Sequence, residues 1–196
     1  MPLFKKNMKI DKPSNQQVFQ MVTTYGEHFY SWNGKVYESD VVRACIRPKV
    51  QAVGKLLGKH IREDRKKSIQ VNPDPYIKFL LKEPNPYMTG QMLQEKLTTQ
   101  LCLNNNAFAL VVRDENGKAS QIYPIPAVCV ETKYSNTGEL LLKFQFKNGK
   151  SSIFRYTDII HLRRDYYSDD IFGESPAPAL AEMMEVICTL DQGLIK

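Results

Sequence analysis

The chain has 196 residues, 42% apolar and 24% charged, a composition that supports a sizeable core and excludes wholesale disorder. No apolar run approaches the ~18–20 residues of a membrane span, and no apolar segment follows the basic start Met1-Pro2-Leu3-Phe4-Lys5-Lys6. A membrane protein and a secretory signal are therefore not expected, and the product reads as cytoplasmic when made. The net charge of +6 is uneven: residues 1–67 hold 14 Lys and Arg against 6 Asp and Glu, whereas residues 134–196 hold 7 against 9.

Residues 1–30 lack clear periodicity and read as a partly mobile arm, with Val18, Phe19, Met21 and Val22 marking one short packed piece. Trp32-Asn33-Gly34-Lys35 is a turn. A helix follows, capped by Ser39 or Asp40, with Val41, Val42, Cys45, Ile46, Val53, Leu56 and Leu57 as its apolar stripe. Pro48 removes one backbone bond and predicts a kink near Ala44. The opposite face carries Arg43, Arg47, Lys49 and Lys55, and the end carries Lys59, Arg62, Arg65, Lys66 and Lys67. Such a run suits a solvated face and the negative end of a helix dipole; it also suits a polyanion.

Tyr76 to Lys82 predicts a short apolar helix stopped by Pro84-Asn85-Pro86, because a residue preceding proline avoids helical angles. Thr89 caps the next helix, whose buried side is set by Met92, Leu93, Leu97 and Leu101 and which ends at Asn104-Asn105-Asn106. The pattern then changes to strands: Ala107–Arg113, Gln121–Pro124, Val128–Thr132, Leu140–Phe146, Ser152–Tyr156 and Ile159–Leu162. Turns at Asn116-Gly117, Asn136-Thr137-Gly138 and Asn148-Gly149 separate them. In the fourth strand Leu140, Leu142, Phe144 and Phe146 alternate with Leu141, Lys143, Gln145 and Lys147, which predicts one buried and one wet face. Residues 165–174 form an acidic, aromatic loop. Ser175-Pro176 starts a final helix that no signal stops before Lys196, so the helix is expected to continue in a longer protein.

The residues carry little chemistry. Cys45, Cys102, Cys129 and Cys188 lie far apart in apolar stretches, and His28, His60 and His161 do not fall at metal-ligand spacing. Free buried thiols are expected, with neither disulfide nor metal. There is no G-x-S-x-G elbow, no P-loop and no G-x-G-x-x-G. His161, between Ile160 and Leu162, reads as a structural histidine. One catalytic pattern needs testing: Glu131-Thr132-Lys133 with Asp114 could hold Mg²⁺ as a nuclease does, although Asp114 is also the natural first residue of a turn. The basic first third leaves a nucleic-acid-binding domain as the other reading.

Six segments in order resemble the portal proteins of tailed bacteriophages and prophages. They are Trp-Asn-Gly-Lys-Val-Tyr-Glu-Ser-Asp-Val-Val-Arg-Ala-Cys-Ile-Arg from Trp32, followed by a helix ending Lys-His-Ile-Arg at Arg62; Pro84-Asn85-Pro86-Tyr87-Met88-Thr89-Gly90; Leu103-Asn104-Asn105-Asn106-Ala107-Phe108-Ala109; Gln121-Ile122-Tyr123-Pro124-Ile125; Asp158-Ile159-Ile160-His161-Leu162; and Phe172-Gly173-Glu174-Ser175-Pro176. The resemblance implies a non-enzymatic structural subunit that forms a ring, commonly a dodecamer, at a capsid vertex, with a channel for DNA packaging and ejection. It implies assembly in the host bacterial cytoplasm and residence in the virion. The implied partners are other copies of itself, the large terminase, capsid or scaffold proteins, head-completion proteins and duplex DNA in transit, with no cofactor and no metal. It implies an α+β body over 31–174, the wing, in which N-terminal helices pack on an antiparallel or mixed sheet. An arm at 1–30 precedes it, and 175–196 begins a long stem helix. Portal subunits of this type are longer, with the rest of the stem, the clip and the crown beyond this stretch. No catalytic, cofactor or DNA-contact residue is carried over.

Overall fold

The computed structural model describes residues 17–21, 40–65, 68–167 and 169–176, and the positions 179, 180, 182, 183, 186, 187, 189 and 190, which are helical. The expected turn at Trp32, Lys66, Lys67, Cys188 and much of the stem helix lie outside the described residues. The described chain is α+β and divides into two compact units, one formed around residues up to Met21 with Pro126–Ile159, the other by Val22–Ile125 with Ile160–Lys196. The expected body at 31–174 thus contributes residues to both.

The first unit is an antiparallel sheet of β1 (Val18–Gln20), β6 (Ala127–Tyr134), β7 (Leu140–Phe146) and β8 (Ser151–Arg155), in that order. The short packed piece expected near Val18 is β1, an edge strand pairing Val18 with Glu131 and Gln20 with Cys129. Gln17 extends this edge, since its N–H donates to the Thr132 hydroxyl at 2.9 Å and its carbonyl accepts from Thr132 N at 2.9 Å. Gly138 and Gly149 take positive φ in the two hairpin turns, as the Gly positions predict. Val130, Leu142 and Phe144 are fully buried, and the Phe144 and Phe154 rings lie 5.9 Å apart. The wet face expected of β7 is drier than its alternation suggests. Leu141 is fully buried, and Lys143 shares its half-buried face with Glu131 of the neighbouring strand.

The second unit holds helices α1 (Asp40–Gly54), α2 (Pro75–Lys82) and α3 (Gly90–Asn104), a ribbon of β2 (Ile61–Glu63) and β3 (Ile69–Val71), and a sheet in the order β5 (Ala119–Pro124), β4 (Asn106–Arg113), β9 (Ile159–Arg163). Its core joins Leu93 and Leu97 of α3 to Leu80 of α2, to Ala107 and Ala109 of β4 and to Ile122 of β5. Helices packed on a sheet are what the resemblance implies. Asp74 caps α2 through Tyr76 N at 2.9 Å, and Thr89 caps α3 through Met92 N at 3.4 Å. The Pro84-Asn85-Pro86 stop also docks on β5: Pro84 O accepts from Ile122 N at 2.8 Å, and Asn85 Nδ2 donates to Ile122 O at 2.7 Å.

Two expectations for α1 need correction. The helix ends at Gly54, and the basic stretch expected to prolong it is partly the ribbon, whose base is closed by His60 and Asn72. Gly54 and Gly58 weaken helix continuation, and Asn72, just after β3, adopts positive φ where it meets His60 at the ribbon's base. The apolar stripe is also narrower than read. Val42 and Gly54 are buried and Ile46, Val50 and Val53 half-buried, whereas Val41, Cys45, Leu56 and Leu57 are exposed. Pro48 lies inside α1, and the Ala44 carbonyl it cannot serve is on an exposed residue that water can reach.

Candidate functional site

A dense polar cluster lies where α3 passes into β4. Leu103 is buried, and the polar run Asn104, Asn105, Asn106 follows it into the interior, each less than 4% exposed. Buried amides need partners, since an unmade hydrogen bond in the interior costs about 1–3 kcal/mol. Asn105 adopts a left-handed conformation, φ 55°, which ends α3. Its Nδ2 donates to Asp165 Oδ2 at 3.0 Å and to Glu174 O at 2.9 Å, and its Oδ1 accepts from Arg164 Nη2 at 2.8 Å. Asn106 Nδ2 donates to Asn104 O at 3.1 Å and to Gly173 O at 2.7 Å, while its Oδ1 accepts from Gly173 N at 2.8 Å.

His161 of β9 completes this knot. Its Nε2 lies 2.9 Å from Asn106 Oδ1, which can only accept, so Nε2 carries a proton. The ring stacks on Phe108 at 4.3 Å, and Phe172 meets the edge of Phe108 at 6.4 Å. Burial, with the nearby charge of Arg163, pulls its pKa down to about 4 despite the opposing charge of Asp169. His161 is therefore structural, as the sequence suggests. The knot ties the acidic loop to the α3–β4 corner. Arg163 hydrogen-bonds the carbonyls of Asp170 and Ile171 and sits 4.4 Å above the Tyr166 ring, and Asp169 Oδ1 caps Ile171 N at 2.7 Å and Phe172 N at 2.9 Å. Tyr167 donates to Glu174, whose bond and charge raise the phenol pKa.

The nuclease residues do not form a metal centre. Asp114 caps its own hairpin, its Oδ1 accepting from Asn116 N at 2.9 Å and Lys118 N at 2.8 Å. Glu131 and Lys133 lie on β6, in the other unit. Glu131 Oε2 pairs with Lys143 at 3.0 Å, and its Oε1 accepts from Gln145 at 3.0 Å. Among the described residues no three His, Cys, Asp or Glu side chains gather to hold a metal. Of the thiols, Cys129 is buried, Cys102 half-buried and Cys45 exposed, which corrects the expectation that all are interior. Arg47, Lys49, Lys55, Lys59, Arg62 and Arg65 are exposed, and Arg43 pairs with Asp40 one turn earlier. No helix among the described residues is long and apolar enough to cross a membrane. The knot was missed in the sequence, where Asn104-Asn105-Asn106 signals only a helix end; three consecutive amides beside the apolar run 107–112 were the available clue.

Residues 40–193, more than three quarters of the chain, match the model of the phage portal protein family. The chain belongs to that family. The portal protein of Enterobacteria phage HK97 is 28% identical over 102 residues, which are 52% of this chain and 23% of that protein. Among solved structures, the neck of an empty gene transfer agent particle, computed with C6 symmetry, superimposes with a TM-score of 0.63 at 16% identity. It covers 82% of this chain and 44% of that one. The virion of a native gene transfer agent particle gives 0.61 at 18% identity, covering 82% and 42%, and its neck computed with C12 symmetry gives 0.58 at 16%, covering the same shares. At these identities the likeness is one of fold. The chain spans about a quarter of the curated portal protein it matches and less than half of the structural relatives.

Proposed function

We propose that this chain supplies the wing of a portal subunit: a structural ring component at the capsid vertex, around a channel for DNA packaging and ejection. The observation that carries the proposal is the family match across 40–193, supported by a fold shared with virion-neck structures, two of them computed with six- and twelvefold symmetry. In this reading residues 1–30 are an arm, 31–174 the wing, and the helical positions from 179 onward the start of a stem helix. The knot of Asn105, Asn106, His161 and Gly173 then has a mechanical role. It anchors the segment 163–174 that leads into that helix, so force on the stem passes into a buried hydrogen-bonded corner instead of a loose loop.

A ring at the vertex nucleates procapsid assembly and docks the large terminase, then the head-completion proteins. The subunit is made in the host bacterial cytoplasm and ends in the virion. It performs no catalysis, and its contacts with passing duplex DNA are weak, because tight binding would stall transport. The engaged carboxylates of Asp114 and Glu131 speak against the nuclease alternative. The exposed cations keep a nucleic-acid-binding module as the second reading. Electron microscopy of the complete polypeptide tests the choice. Closed rings with a central hole are expected, and a compact monomer that binds duplex tightly at every concentration would reverse it.

A further inference from the structure

The β6 edge that β1 covers is a fitted slot for a strand. Thr132 is 1% exposed, and its hydroxyl accepts from Gln17 N at 2.9 Å and donates to Gln17 O at 3.3 Å. Thr132 N also donates to Gln17 O at 2.9 Å, and at the other end Met21 N donates to Val128 O at 2.8 Å. Between them Val18 stands opposite Glu131, Phe19 opposite Val130 and Gln20 opposite Cys129. Val130 is fully buried and Met21 is 4% exposed. Without a strand here Thr132 would hold a buried hydroxyl and amide with no partner, which is unfavourable. The slot therefore takes an extended peptide segment by strand addition, one whose last side chain is apolar.

The segment that fits is 17–21 itself, and the question is whose copy supplies it. Strands β6, β7 and β8 follow one another through hairpins, whereas Gln17 meets Thr132 across 115 residues of chain. β1 is thus the one strand of this sheet that another copy can provide with every hydrogen bond unchanged. Residues 22–39 lie between Met21 and the start of α1 at Asp40, and a chain of that length reaches at most about 60 Å. That span is enough to enter an adjacent subunit. A strand meeting an edge joins two different surfaces, and such a head-to-tail contact closes into a ring. In a ring the neighbour's strand is held at high effective concentration, and exchange ties two copies through main-chain bonds without the loss of a contact.

We infer that the β6 edge is a strand-acceptor site, filled in the ring by the 17–21 strand of a second copy of this chain. This rests on the portal reading and names one interface within it.

The test uses the complete polypeptide and cross-strand disulfides. Val18 and Glu131 form a non-hydrogen-bonded pair, as the Thr132 N to Gln17 O bond beside it shows. Their Cα atoms then lie about 4.5 Å apart, within disulfide range. Copies with Val18→Cys are assembled together with copies with Glu131→Cys, oxidised and run on a denaturing gel without reductant. A linked pair of unlike copies is expected, absent from either variant alone, because neither brings two thiols to the pair. The double variant Val18→Cys with Glu131→Cys should link into multiples of the chain. Gln20→Cys, opposite the native Cys129, repeats that readout with β6 unchanged. Links confined to single chains, with no unlike pair, overturn the exchange; rings seen by electron microscopy would then leave the portal reading standing. No link in any variant also overturns it and takes 17–21 out of the slot. Failure of the parent to form rings removes the portal reading and the exchange together.

Discussion

The side-chain amide of Asn106 pairs with both backbone groups of Gly173, accepting from its N–H at 2.8 Å and donating to its carbonyl at 2.7 Å. It acts as one rung of a sheet between residues 67 positions apart. Gly173 is needed for this approach, because a Cβ there would run into the carbonyl oxygens of Arg164 and Asn105.

Asn106→Ala leaves the Gly173 backbone and His161 Nε2 without their buried partner. The expected loss is about 3 kcal/mol or more in unfolding free energy, measured by urea denaturation. Asn106→Asp keeps the acceptor but loses both donated bonds, so it should not rescue the stability.

Gly173→Ala is expected to cost about 1–3 kcal/mol through overpacking alone, since no hydrogen-bonding group is removed. Thermal melting checks this against Gly149→Ala, an open turn position whose only penalty is its positive φ.

His161 makes stability fall with acidity. Its folded-state pKa, about 4, lies below the ordinary 6.5, so the unfolded chain binds this proton more readily. The contribution is present above pH 6.5 and is lost as pH falls from 6.5 to about 4, with a magnitude of about 3 kcal/mol. Denaturation midpoints across that window should drop in the parent and drop less in His161→Gln, which cannot take up the proton.

Glu131→Ala removes the partner of Lys143 and Gln145 in the first unit. A stability loss of about 1 kcal/mol is expected, because the pair is only partly sheltered. Plasmid DNA incubated with Mg²⁺ should stay intact with parent and variant alike; cleavage by the parent that the variant abolishes would restore the nuclease reading.

The thiols should separate by reactivity. Cys45 is exposed on α1 and should react with an aromatic disulfide reagent in the folded state. Cys129 is buried, and burial with the nearby charge of Glu131 raises its pKa, so it should react only after unfolding. Equal rates in the native protein would contradict the burial of β6.

Local signals carried much of the fold. Thr89 caps its helix because its short polar side chain reaches a free first-turn amide, and Gly138 and Gly149 turn hairpins because they tolerate positive φ. Such effects act within a few residues and can be read in order along the chain. The ribbon at 61–71 was hidden because its cations resemble a helix terminus; its strand pairing depends on the chain reversal between Glu63 and Ile69 and on the contact of Asn72 with His60 at its base, not on periodicity. Leu141 shows the same limit, since alternation assigns a face but not what covers it.

By itself the sequence determined the types of most elements outside the 61–71 ribbon, the Thr89 cap and the hairpin turns, the structural role of His161 and the absence of familiar catalytic motifs. Its ordered segments pointed to the portal family that the match over 40–193 establishes. Only the tertiary structure decided what the three asparagines do. Asn105 and Asn106 meet Asp165 and Gly173 across some sixty residues of chain, and the desolvation that makes those bonds matter exists only once α3, β4 and β9 have closed around them.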